Sequence, residues 1–210
     1  MERLIASVFA LTYEWQFDLY GIKNITMANL FIPRWLMVWL VASSLIVIYD
    51  ASYVLQRPAS MEGGALFHIY SPYALYIQFD TLYGNLKDSF VVIQSWLNLV
   101  EVTLVLSAVL LSLSSCTVKQ LISGLIVVVG NAFIFWKTVI YLWYDHHFLA
   151  PAANVPTIQA VFVFWIPSSL WIIFPSLAII TVSKNIVKHV KELSGKLKKA
   201  WFRPQNKAWI

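Results

Sequence analysis

Charged residues are scarce in this sequence, and their scarcity argues against a water-soluble domain. Only 12% of the 210 residues are Asp, Glu, Lys or Arg, whereas hydrophobic residues make up 60%. A soluble domain carries about 25% charged residues, because it must cover a surface that faces water. The mean hydropathy of +0.70 points the same way. The composition therefore predicts that lipid surrounds most of the chain.

Cysteine and the common catalytic motifs are also missing or nearly so. The single cysteine, Cys116, excludes an internal disulfide and a zinc cluster of thiolates. No nucleophile elbow, phosphate-binding glycine loop or HExxH pattern occurs. The run Asp145-His146-His147 has no partner at the spacing of metal ligands. The basic end of the chain is short and carries no nucleic-acid-binding motif. We therefore expect no metal, no cofactor and no nucleic-acid partner.

Four stretches are long and apolar enough to cross a bilayer, which requires about 20 residues each. They cover about residues 31–55, 90–113, 118–144 and 158–182. The predicted fold class is therefore all-α, a polytopic membrane bundle of four transmembrane helices, with five as the alternative. Residues 4–20 are too polar for a confident span, so residues 1–30 are interpreted as an interfacial segment. The transmembrane domain is predicted over residues 31–183 and a basic tail over 184–210.

Charge and loop length set the expected orientation. Eight Lys and Arg residues follow the fourth span, and by the positive-inside rule they place the tail in the cytosol. Four spans put the N-terminus on the same side. The tail is also able to contact anionic lipid headgroups. The long link over residues 57–89 is rich in aromatic residues, so we expect an ordered lid and not a flexible tether.

Two ionisable residues lie inside predicted spans, where charge is costly and marks a candidate site. Glu101 is near the middle of the second span and shares a helical face with Asn98. Lys137 lies inside the third span, at a depth that differs from that of Glu101 by roughly 8 Å, a gap that a lysine can largely close. Two interpretations are open. The residues form a structural pair that neutralises itself, or Glu101 is a proton donor or cation-stabilising carboxylate in an apolar cavity.

Three stretches resemble the EXPERA-domain family, which includes emopamil-binding sterol isomerases and sigma-2-receptor-like proteins. They are the end of the first span over residues 49–55, the middle of the second over 96–103, and residues 164–175 of the fourth. The loop segment 73–83 is similar to an aromatic and acidic segment of the receptor-like members. Short matches extend over about residues 40–191. Two positions depart from the isomerase pattern, because Ile46 replaces a histidine and Ser168 replaces an asparagine.

The resemblance implies a hydrophobic ligand, a sterol or terpenoid, in the membrane of the endoplasmic reticulum. Asp50 and Glu101 take the positions of family acids, and Asp80 joins them as a third candidate catalytic residue. Trp171 matches a tryptophan that stabilises a carbocation. The remaining candidate ligand-binding residues are Asn98, Ser168, Tyr53, Trp136 and Lys137.

Two functions follow from these features. The preferred one is an isomerase, or a related cyclase, that moves a proton on a sterol or terpenoid through a carbocation. The alternative is a non-catalytic sterol-, lipid- or amine-binding protein, which the missing histidine favours. We also expect that Asp50, Glu101 and Trp171 face one pocket. The expected partners are this ligand and membrane lipid, with a homodimer as one option.

Overall fold

The computed structural model describes residues 31–148 and 157–201. The interfacial segment predicted over residues 1–30 lies outside the described residues, as do residues 202–210 of the predicted tail.

Four helices in this part of the chain are long and apolar enough to cross a membrane. The first three are α1 (Arg34–Leu55), α5 (Phe90–Ser112) and α6 (Thr117–Phe148). The fourth is built from α7 (Thr157–Ala160), a π-helical turn (Val161–Trp165) and α8 (Ile166–Trp201). The described residues contain no strand, which confirms the all-α prediction. The protein is a multi-pass helical membrane protein.

The fourth helix extends beyond the predicted membrane span. The span is expected to end at about residue 182, and α8 continues as a helix without a break to Trp201. No proline follows Pro175 within α8, and the added residues include six lysines and two leucines, which are good helix formers. The predicted boundary between transmembrane domain and tail at residues 183–184 therefore falls inside one helix.

The long link between α1 and α5 is ordered, as predicted. It contains three one-turn helices, α2 (Phe67–Tyr70), α3 (Tyr73–Tyr76) and α4 (Thr81–Gly84). We call residues 57–89 the lid. The end of the bundle that carries the lid is the loop end, and the end where α8 extends is the tail end.

The helices pack in the order α1, α5, α6 and α8. A cluster of mostly aliphatic buried side chains, with members from all four long helices, fills the tail end, and a cluster of buried tyrosine and aliphatic side chains fills the loop end. Gly124 of α6 allows the close approach at the tail end. A Cβ atom there would lie 3.3 Å from side chains of Phe31, Val182 and Ile186. The polar residues of the membrane interior lie between the two clusters, and they define the candidate site.

Candidate functional site

A cavity of about 30 Å³ lies between the helices at membrane depth. Most of its lining is aliphatic or aromatic, and Glu101 is the ionisable side chain among its lining residues. Its other polar lining residues are Ser43, Ser44 and Asn131. Carboxylates are rare in such surroundings, because charge in a bilayer is costly without a partner. The cavity therefore presents one carboxylate to an otherwise weakly polar space.

Aromatic side chains form the wall of the cavity between α1 and α8. Trp39 and Trp171 both line it, with ring centroids 5.9 Å apart in an edge-to-face arrangement. Trp39 also stacks on Phe174, with centroids 3.8 Å apart and planes 14° from parallel. Indole faces carry a negative quadrupole, which attracts a cation placed over the ring. This wall can therefore stabilise positive charge that develops inside the cavity.

Glu101 is held by Lys137 of the neighbouring helix. The Lys137 Nζ lies 2.5 Å from Glu101 Oε2, and the two side chains are only 13% and 10% exposed. The same ammonium donates a hydrogen bond to Asn98 Oδ1. It is also close enough to Asp50 for the two charges to attract each other. The pair that the helical hairpin predicted is present, and it places an ammonium beside the cavity carboxylate.

Asp50 faces the lid and does not line the cavity with Glu101 and Trp171. The Tyr73 hydroxyl donates to Asp50 Oδ1 at 2.8 Å. The Tyr83 hydroxyl lies 2.9 Å from Oδ1 and 2.8 Å from Oδ2. Asp50 therefore ties the end of α1 to the lid. Glu101 and Trp171 share the cavity as expected. Asp50 lies outside the cavity and is linked to it only by the electrostatic attraction between Asp50 and Lys137.

Asp80 is fully buried inside the lid. One of its oxygens accepts hydrogen bonds from the hydroxyls of Tyr76 at 3.2 Å and Tyr141 at 2.6 Å. The other accepts from the backbone N–H of Leu82 at 3.2 Å and so caps α4. Burial raises the pKa of Asp80 to about 7, although the bond from Tyr141 lowers it. The negative charge of Asp145 raises this pKa further.

The tyrosines of the lid act as hydrogen-bond donors to these acids. Burial raises the pKa of Tyr73, Tyr76 and Tyr83, and the nearby Asp50 and Asp80 carboxylates raise it further, so the phenols stay protonated. Tyr53 of α1 stacks on Tyr73, with ring centroids 3.9 Å apart and planes 4° from parallel. The lid is thus fixed to α1 by both stacking and hydrogen bonds.

Arg57 stabilises the lid without a carboxylate contact in the described part of the chain. Its guanidinium donates to the backbone carbonyls of Leu82 and Tyr83, each at 3.0 Å, and to that of Val54 at 3.1 Å. These carbonyls lie near the ends of α1 and α4, where a cation is favourable. Burial lowers the pKa of Arg57 from its usual value.

The remaining predicted ligand-binding residues lie away from the cavity. Trp136 points outward from the bundle and is 62% exposed, because its position on α6 faces the surroundings and not the core. Ser168 is partly buried on α8, one turn before Trp171, and does not line the cavity. Tyr53 is buried under the lid. The sequence analysis did not select Trp39 as a cavity residue, although its position among apolar residues of the first span was visible.

The same analysis overlooked the four tyrosines that bind Asp50 and Asp80. Their signal was the tyrosine density of the lid, with Tyr70, Tyr73 and Tyr76 three residues apart. Tyr141 gave no such signal, because its partner lies far away in sequence and on another element.

No family model, no curated protein and no solved structure matches this chain. The fold and the site define its class directly. It is a helical membrane protein with four candidate spans in the described part of the chain, a carboxylate–ammonium pair beside a tryptophan-walled cavity, and a tyrosine-rich lid over one end of the bundle.

Proposed function

We propose that the protein is a lipid isomerase, or a related cyclase, that moves a proton on a sterol or terpenoid within the membrane. The observation that carries the proposal is the cavity of Glu101, which combines one carboxylate with the indoles of Trp39 and Trp171. The resemblance of the three stretches to the EXPERA-domain family supports the same ligand class and the endoplasmic reticulum as location. The basic residues after the fourth span support a cytosolic tail.

Each of these groups has a defined role in the proposed chemistry, and Glu101 acts first as an acid and then as a base. Lys137 returns a proton to Glu101 along their hydrogen bond, which leaves a neutral carboxylic acid and a neutral amine. Glu101 then donates this proton to an alkene carbon, so a C–H bond forms, the π bond breaks and a carbocation results. Trp39 and Trp171 stabilise the cation. The carboxylate removes a proton from an adjacent carbon, and the double bond re-forms at a new position.

Ligand entry requires movement at the junction of α1 and α8. The cavity of about 30 Å³ is far smaller than the roughly 300–1,000 Å³ of pockets that hold drug-sized molecules. At the depth of the cavity, α1 meets α8 through aromatic side chains, with Trp39 placed against Phe174 and Trp171. Rotation of these side chains would open the cavity sideways toward lipid. A hydrophobic ligand would enter by this route without crossing water.

The test combines lipid analysis with isotope exchange. The protein is purified in mild detergent, and its co-purified lipids are extracted and identified by mass spectrometry. It is then incubated with the identified sterol or terpenoid in D₂O. Proton transfer by Glu101 places deuterium on ligand carbon and yields a double-bond isomer. Glu101→Gln should abolish both signals, and Glu192→Gln, which changes an exposed glutamate, should retain them. Absence of exchange in the unaltered protein would refute the enzyme proposal.

The second candidate is a non-catalytic lipid-binding protein, and the ion pair favours it. Lys137 engages Glu101 directly, so the acid is neutralised by the protein itself. Such a pair can shape a binding cavity without giving up a proton. A ligand that co-purifies at stoichiometric amounts, incorporates no deuterium and is lost in Trp39→Ala would establish this function.

Orientation is tested separately. Epitope tags at the two ends of the chain, combined with protease treatment of sealed microsomes, should leave both tags accessible. A protected tag at the C-terminus would refute the cytosolic tail.

A further inference from the structure

The extension of α8 beyond the membrane carries a stripe of lysines that the proposed chemistry does not use. Lys184, Lys188 and Lys191 are exposed and follow one another at spacings of four and three residues. Residues at these spacings lie on one face of a helix. We call this face the proximal lysine stripe.

The stripe points away from the bundle. On the opposite face of α8, Val182 is fully buried and Ile186 packs against the aliphatic cluster. The Asn185 amide donates to the carbonyl of Phe31 at 2.9 Å, and the ring of His189 meets Phe31 edge-on at 5.3 Å. Because these four residues face inward, the lysines on the opposite side of the helix face whatever surrounds the bundle.

The depth of the stripe matches the headgroup layer. Residues 158–183 contain no Asp, Glu, Lys or Arg. At about 1.5 Å per residue this uncharged stretch is roughly 39 Å long. The hydrocarbon core of a bilayer is about 30 Å thick, and about 40–45 Å with the headgroups. Lys184 therefore begins at the level of the headgroups, and the long side chains of Lys188 and Lys191 can reach back to it.

The local surface suits a phospholipid. None of the three lysines is ion-paired within the described part of the chain. They surround a shallow open depression of about 570 Å³, together with Ser183, Val187 and Glu192. Val187 is 51% exposed and supplies an apolar contact between the lysines. Lysines beside the end of a span attract anionic lipids, and the attraction falls off within a Debye length of the surface.

We propose that Lys184, Lys188 and Lys191 bind the headgroups of anionic phospholipids in the leaflet at the tail end. The lipid glycerol and upper acyl chain lie against Val187, and the phosphate lies among the ammonium groups. The more distal lysines, Lys196, Lys198 and Lys199, stand at least about 18 Å beyond Lys184 and about 7.5 Å beyond Lys191 along the helix, by about 1.5 Å per residue. They take no part in this binding.

The distal lysines provide a matched control with the same change of charge. The full chain is reconstituted into nanodiscs of phosphatidylcholine with a minor fraction of phosphatidylserine. The protein is then extracted in mild detergent, and retained phosphatidylserine is measured by mass spectrometry. Substitution of all three proximal lysines by glutamine should lower retention by roughly 100-fold, because each lysine near a membrane surface contributes about 1 kcal/mol. The same substitution of the three distal lysines should change it less than about threefold.

Two further measurements keep the proposal falsifiable. A variant with arginine at all three proximal positions retains the charge, so it should retain phosphatidylserine even if the glutamine variant folds poorly. Inorganic phosphate at millimolar concentration should not displace the lipid. Equal losses in the proximal and distal variants, loss in the arginine variant, or displacement by phosphate would each overturn the proposal.

Discussion

The ion pair between Glu101 and Lys137 can be tested by removing each charge alone and then both together. Removal of one partner from a buried pair leaves the other charge stranded in a low dielectric, at a cost of about 3–5 kcal/mol. The structure makes the two losses unequal. Lys137 has a second hydrogen bond to Asn98 and the attraction of Asp50, whereas Glu101 is stabilised by Lys137 alone among the charges acting on it.

We therefore expect Lys137→Met to cost about 3–5 kcal/mol and Glu101→Gln to cost less, about 1–3 kcal/mol. At about 2–4 °C per kcal/mol for a chain of this size, Lys137→Met should lower the melting temperature by roughly 6–20 °C. The double variant should recover much of this loss, because it leaves neither charge unpaired. The expected destabilisation from Glu101→Gln is small enough to leave folded protein for assay.

Melting is followed in detergent by intrinsic fluorescence, together with deuterium exchange into the ligand. Lys119→Met and Glu192→Gln alter exposed charges and should shift stability by no more than about 0.5 kcal/mol. Activity should vanish in Glu101→Gln while most of the protein stays folded. If Glu101→Gln costs more stability than Lys137→Met, the contacts of Lys137 with Asn98 and Asp50 do not compensate for the loss of Glu101. If the double variant regains stability and keeps activity, Glu101 is a structural residue only.

Three further outcomes follow from the lid and the tail end. Because the pKa of Asp80 is raised in the folded protein, the contribution of Asp80 to stability is present below the ordinary carboxyl pKa and is lost as the pH rises toward about 7. Asp80→Asn should therefore flatten the fall in melting temperature between about pH 4 and 8. An unchanged slope would contradict this. Tyr83→Phe removes a hydroxyl that contacts both carboxylate oxygens of Asp50 and should cost about 1.5–3 kcal/mol of stability. Tyr49→Phe removes a more exposed hydrogen bond to a backbone carbonyl and should cost less. Equal shifts in melting temperature would contradict the assigned role of Tyr83. Gly124→Leu should force α6 and α8 apart and lower the yield of folded protein on size-exclusion chromatography, whereas Gly195→Leu, with open space around it, should be tolerated.

The spans could be predicted from sequence, because a helix that crosses a bilayer requires about 20 apolar residues and such a run is visible in the hydropathy. The contact of Glu101 with Lys137 could also be predicted, since two antiparallel helices joined by a short turn fix the relative depth of their residues. The position of Trp136 could not. Each of these helices carries hydrophobic residues on all of its faces, so hydrophobic periodicity does not distinguish the face toward lipid from the face toward the core.

The lid was predictable as an ordered segment but not in its contacts. The bond from Tyr83 to Asp50 joins residues 33 positions apart, and it depends on the path of three short helices that have no strong sequence signature. One-turn helices form only when surrounding contacts support them, because helix nucleation is unfavourable. The role of Asp80 as a cap of α4 therefore emerges only when the lid is packed.

The bond between Tyr141 and Asp80 has a consequence for biosynthesis in the membrane. The two residues are 61 positions apart, and α5 and most of α6 must be made before they can meet. Until then the carboxyl of Asp80 lacks its shortest hydrogen bond, and the lid cannot close fully over the end of the bundle. Full packing of the lid must therefore wait for synthesis of the third span, so the lid of a nascent chain arrested before Tyr141 should be cleaved by proteases faster than the lid of the complete chain.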